Sequence, residues 1–143
     1  MDNNLVERIL SNKKSGIDNN INSINNQIIN IINEIYRPYE LFKENSVNKQ
    51  KCFDILLNNY QYYIPNNNVL VSGDYIRYIS KNTKIGNNIY IKVGGFLLDE
   101  NENNIRITNN NRILKISKKN NYIFRKLTKN DIFRISISGN LFN

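Results

Sequence analysis

Histidine, tryptophan and alanine are all absent from this 143-residue sequence, and cysteine occurs once. Without His there is no Ser-His-Asp triad, no Cys-His dyad and no imidazole metal ligand. A single Cys excludes an internal disulfide framework and a Cys-rich zinc site. No run of eighteen apolar residues occurs, so no transmembrane helix is expected. Met1-Asp2-Asn3-Asn4-Leu5 lacks the basic start and apolar stretch of a secretion signal, and none of the twelve Ser/Thr residues has Asn two places before it. The expectation is a chain that is neither secreted nor bound to a membrane. It is expected not to be an enzyme: no catalytic residues, no metal, no cofactor and no small-molecule substrate.

What fills the space is Asn, 31 residues, and Ile, 24 residues. Asn, Ile, Lys and Tyr share A/T-rich codons, whereas Ala needs G and C, so the composition fits a very AT-rich genome. Asn66-Asn67-Asn68 and Asn109-Asn110-Asn111 resemble low-complexity sequence. The regular recurrence of Ile, Tyr and Phe between them instead predicts strands joined by turns. Charge divides the chain. Residues 1–60 hold seven basic and seven acidic side chains, while residues 61–143 hold thirteen and five, so the whole +8 lies in the second part. Two units are expected: a helical assembly segment over 1–60 and a basic all-β domain over 61–143.

In the first part, Leu5, Val6, Ile9 and Leu10 predict a short helix. Ile17, Ile21, Ile24, Ile28, Ile31 and Ile35 then recur at 4, 3, 4, 3 and 4 residues. That is the a/d pattern of a coiled coil, and Ile at both positions favours three or more strands. The intervening residues are mostly Asn, a poor helix former, so stability must come from burying the Ile seam. The seam is expected to join copies of this chain, a trimer first, or another protein. The other reading is a helix packed in the chain's own core, because Ile29 and Ile32 widen the stripe. Pro38 ends this helix. A second follows with Ser46 as N-cap and an apolar face of Phe53, Leu56, Leu57 and Tyr60. Cys52 reads as a small hydrophobe more than a reactive thiol.

Past residue 68 the period changes to two. Strands are predicted over 69–71, 75–80, 89–93, 96–99, 104–108, 112–117, 122–127 and 132–138, separated by Gly, Asn and Asp turns. The fold class is α+β: a coiled-coil-like helical segment, then a small antiparallel β-barrel or sandwich, SH3-like in size. Gly94-Gly95 inside an apolar run predicts a bulge or sharp bend.

Val71-x-Gly73-Asp74-Tyr75-Ile76-Arg77-Tyr78-Ile79, Val93-Gly94-Gly95-Phe96-Leu97 and Ile123-Phe124-Arg125-Lys126 resemble a recurring small β domain. It occurs in uncharacterised proteins of giant DNA viruses that infect amoebae, the mimivirus-like group. The resemblance covers roughly 69–127 and implies a viral protein of the virion, or of the virus factory in the host-cell cytoplasm. It brings no catalytic residues with it.

Acidic residues are few. Asp74 is expected to hydrogen-bond turn backbone, and Asp99, Glu100 and Glu102 to form a solvated hairpin tip rather than a cation site. The basic strip is stronger: Arg112, Lys115, Lys118, Lys119, Arg125, Lys126, Lys129 and Arg134 against Asp131 alone. Tyr75 and Arg77 would share one strand face, where a ring stacks a base and a cation meets a phosphate. Two functions follow. One is a non-enzymatic structural or interaction protein, self-assembling or docking on a virion partner through the Ile helix. The other is a nucleic-acid-binding module using the basic β domain, whose cations equally suit electrostatic docking onto an acidic protein surface.

Overall fold

The computed structural model describes residues 21–82 and 89–142, with residues 137–142 described by backbone alone. The elements are α1 (Ile21–Tyr36), a 3-10 turn (Arg37–Tyr39), α2 (Lys43–Leu56), β1 (Tyr60–Tyr62), β2 (Tyr75–Ser80), β3 (Lys92–Glu100), β4 (Asn104–Asn109), β5 (Arg112–Ser117), β6 (Asn121–Lys126) and α3 (Lys129–Phe142). The fold is α+β. The predicted helix within residues 5–14 and seam residue Ile17 lie outside the described residues.

In α1, Ile24, Ile28, Ile32, Ile35 and Tyr36 are buried. The four Ile recur at four, four and three, the spacing of one helix stripe, with Tyr36 beside Ile35, and the stripe faces this chain. Ile28, Ile32, Ile35 and Tyr36 share a core with Cys52 and Leu56 of α2 and with Tyr60, Ile79, Ile91 and Phe124 of the sheet side. The expected a/d seam is corrected accordingly. Ile24, Ile28 and Ile35 are already used inside the chain, and Ile21 and Ile31 are partly exposed at its margins. A 4-3 repeat places residues on one helix side but does not say whose surface covers them. Asn58, with φ +69, caps the end of α2; its backbone N–H donates to Asn25 Oδ1 of α1 at 2.8 Å and its Oδ1 accepts from Asn25 Nδ2 at 2.9 Å.

α2 starts at Lys43 after Phe42, with no side-chain cap, so Ser46 is not its N-cap. Asn45, 1% exposed, joins the helix to the sheet side: its amide oxygen accepts from Ile89 N at 2.9 Å and its nitrogen donates to Tyr39 O at 3.4 Å.

The six strands form one antiparallel sheet in the order β1-β6-β2-β3-β4-β5. It is open, which corrects the expected closed barrel or sandwich, but it curls. Flat, its two edge strands would stand about 24 Å apart at five spacings of ~4.8 Å. Yet Tyr63, continuing β1 through a 2.8 Å bond to Ile123 O, meets residues from the other end of the sheet. Its hydroxyl donates to Glu100 at 3.3 Å, and the Lys118 ammonium after β5 lies 5.8 Å from its ring centre. The inner face of this curl encloses a second core of Tyr63, Leu70, Ile76, Leu97, Ile105, Ile107, Ile116 and Ile123.

The bulge predicted at Gly94-Gly95 is present. Ile76 pairs Gly95 and Tyr78 pairs Lys92, so Val93 and Gly94 both oppose Arg77. A Cβ on Gly94 would stand 1.4 Å from Ile76 O, so no side chain fits there. The Asn runs serve turns: Asn110 and Asn111, at φ +51 and +65, form the two-residue connection between β4 and β5.

Four strand expectations are corrected. Residues 69–71 form no strand; Leu70 instead plugs the inner core. Of the predicted strands 89–93 and 96–99, residues 89–91 form no strand, while the rest merges into one strand running through the bulge, β3. Tyr60, expected on the apolar face of the second helix, instead opens edge strand β1 with Gln61 and Tyr62. Residues 132–138 are helical in α3. Asp131 N bonds Thr128 Oγ1 at 3.0 Å and Thr128 N bonds the Asp131 carboxylate at 2.8 Å, a capping box that starts the helix.

Ile28→Ala, removing a side chain with no exposed surface, is expected to lower unfolding free energy by about 2–5 kcal/mol in urea melts. The loss should not change with protein concentration, because the ridge packs within one chain.

Candidate binding surface

The curl gives the sheet two unlike faces. Inward, the cations meet acids. Arg125, its side chain 15% exposed, donates to Asp131 at 3.0 Å and to Gln61 at 3.3 Å, with Asp74 at 3.7 Å. Asp74 also accepts from Val71 N at 2.8 Å, the turn-binding role expected of it. Lys118 pairs Glu100 at 3.1 Å, and Arg134 pairs Asp131 at 3.2 Å. Three residues of the predicted basic strip are therefore occupied within the fold.

Outward, the sheet is half covered. The helices pack over β1, β6 and β2, burying Tyr60, Ile79 and Phe124, with Tyr62 against Phe124 at 5.5 Å between ring centres. The cover stops there. Across β2, β3, β4 and β5 one row of residues is in register: Tyr75, Phe96, Thr108 and Ile113. Tyr75 meets Phe96 edge to face, ring centres 5.0 Å apart, and fixes its orientation. Phe96 is 55% and Ile113 59% exposed, and Val93 in the bulge is 64% exposed.

The next row on this face is Asp99, Arg106 and Lys115. Arg106 holds Asp99 through two hydrogen bonds, Nε to Oδ1 at 2.8 Å and Nη2 to Oδ2. The hydrogen bonds from Arg106 hold the Asp99 carboxyl below the usual range. Lys115 is exposed and has no carboxylate partner among the described residues. Arg112, at the β4–β5 turn, and Lys119, past β5, are exposed, as is Lys126 at the end of β6.

The predicted site residues are thus divided. Tyr75 and Arg77 do share the outer face, as alternation requires, but Arg77 lies under α2 and beside Tyr90. Lys115 belongs with the exposed row, whereas Lys118, Arg125 and Arg134 are paired with acids. Phe96 and Ile113 were not singled out in the sequence. Their positions in strands 96–99 and 112–117 placed them on a face, and only the extent of the helical cover decides that the face is open there.

Cys52 is fully buried, 3.5 Å from the Tyr36 hydroxyl, which in turn donates to Ile89 O at 2.7 Å. Burial pushes its thiol pKa up, so it serves as a core residue. Among the described residues no group of three or more acidic, Cys or His side chains could hold a metal ion. No described helix is long and apolar enough to cross a membrane.

The Asp131 carboxyl makes the clearest pH dependence. Burial acts to raise its pKa, but hydrogen bonds from Thr128 and Arg125 outweigh that and leave it below the ordinary value. A depressed folded pKa contributes stability above the unfolded value, about 3.9, and loses it as pH falls through the folded one. Asp131→Asn is therefore expected to destabilise the protein by about 1–3 kcal/mol at pH 7. In urea melts the gap from the parent should close as pH drops below about 4. A pH-independent gap would contradict the ion pair.

Comparison with protein-family models, with curated proteins and with solved structures finds no match to this chain.

Proposed function

We propose that this protein is a non-enzymatic binding module whose exposed outer sheet face holds single-stranded nucleic acid. The observation that carries this reading is the in-register row Tyr75, Phe96, Thr108 and Ile113, open at Phe96 and Ile113 and flanked by Lys115, with Arg106 beside it held by Asp99. The row crosses three strand spacings, about 14 Å, and combines an oriented ring with cations. Bases stack on such rings whatever their identity, and cations beside them neutralise the phosphates. The chain's net charge of +8 draws a polyanion to this surface.

The alternative assembly reading, through the Ile helix, has less to stand on, because most of that ridge is covered by the chain's own α2 and sheet. The resemblance of residues 69–127 to a giant-virus β domain supports a setting in the virion or virus factory. A nucleic-acid-binding protein suits either.

Titration of labelled strands of about twelve nucleotides, DNA and RNA, by fluorescence anisotropy tests this reading. Affinity should fall steeply with salt. Phe96→Ala should weaken binding by about 1–3 kcal/mol, the worth of one stacked base, with unchanged circular dichroism. Lys115→Glu should flatten the salt slope by about one phosphate. Absence of binding at low salt, or full affinity in Phe96→Ala, overturns the proposal.

A further inference from the structure

We infer that a cleft between α2 and the β2–β3 end of the sheet is a site for a small phosphorylated ligand with a planar ring, of the nucleoside monophosphate class. The cleft holds about 460 Å³ and is lined by Asn48, Lys51 and Ile55 of α2, Arg77 of β2, and Tyr90 and Ile91 before β3. That volume is in the range of small-molecule sites.

Arg77 is the reason to look for an anion. It is half-buried, yet no carboxylate among the described residues pairs with it or with Lys51. Arg106, Lys118, Arg125 and Arg134 each have an acid. A guanidinium drawn from water without a counter-charge is costly unless a ligand supplies one. The group is also oriented. Its Nε donates to Lys92 O at 3.3 Å. A fixed guanidinium with a second cation beside it matches a phosphate, which takes paired donors.

The rest of the lining suits a ring. Tyr90 is 49% exposed, and the Lys92 ammonium lies 4.1 Å from its ring centre and 2.6 Å from its hydroxyl, which holds the side chain in place. Ile55 and Ile91 give an apolar wall, and the Asn48 amide offers both a donor and an acceptor to a base edge. The phosphate would lie on Arg77 and Lys51, with the base against Tyr90.

This inference does not depend on strand binding at Phe96, because the two sites share no residue. Calorimetric titration of the full chain with AMP, adenosine and inorganic phosphate separates them. AMP should bind with Kd of about 1 mM or tighter, and adenosine and phosphate at least about tenfold more weakly. Lys51→Glu, an exposed helix position, should weaken AMP at least about tenfold, and Tyr90→Ala should also weaken it. Arg77→Gln should do the same where circular dichroism shows a native fold. Phe96→Ala should leave AMP affinity unchanged. No AMP binding at about 10 mM, equal affinity for adenosine, or an unaffected Lys51→Glu variant would overturn the site.

Discussion

The packing of Ile28, Ile32, Ile35 and Tyr36 against Phe124 and Ile79 governs the rest of the molecule. Each fully buried Ile is worth roughly 1.5–3 kcal/mol, and nothing else in an Asn-rich helix would hold it folded. This contact decides which half of the outer sheet is covered. It also fixes α2, because Cys52 and Leu56 enter the same core and Asn45 ties the helix to Ile89. The cover ends over β2. Beyond it the sheet continues through β3, β4 and β5 with its outer side chains in solvent.

The charges follow from the same division. On the inner face, where water is scarce, Arg125 and Lys118 are neutralised by Asp74, Asp131 and Glu100, as partly buried cations require. The Arg125 pairs join β6 to the start of β2 and of α3, and the Lys118 pair joins the end of β5 to the end of β3. On the outer face, Lys115 and Arg77 stay without acids among the described residues. Cations without an acid thus lie on the outer face at Lys115 and Arg77, near the exposed rings of Phe96 and Tyr90.

Much of this was legible in the sequence. The period-two segments became β2, β4, β5 and β6 because alternating Ile and polar residues fit a sheet with one wet face. The Asn clusters became turns because Asn tolerates positive φ, as Asn110 and Asn111 show. Gly94 announced a bulge because backbone approaches it too closely for any side chain. The failures have physical causes too. Alternation in 132–138 mimicked a strand, although Thr128-x-x-Asp131 carries a capping box that outranks it. Tyr60-Gln61-Tyr62 is too short to announce itself as a strand. The Ile ridge fixed a helix face but not its partner, and closure of the sheet depends on contacts as distant as Tyr63 with Glu100.

The sharpest test of this half-covered sheet is solvent-induced paramagnetic relaxation of Ile methyl and Phe ring protons, using a soluble neutral gadolinium chelate. Ile113 and Phe96 should relax strongly, while Ile28, Ile32, Ile79 and Phe124 remain protected. Equal protection of Ile113 and Phe96, or strong relaxation of Ile28 and Ile32, would contradict the account.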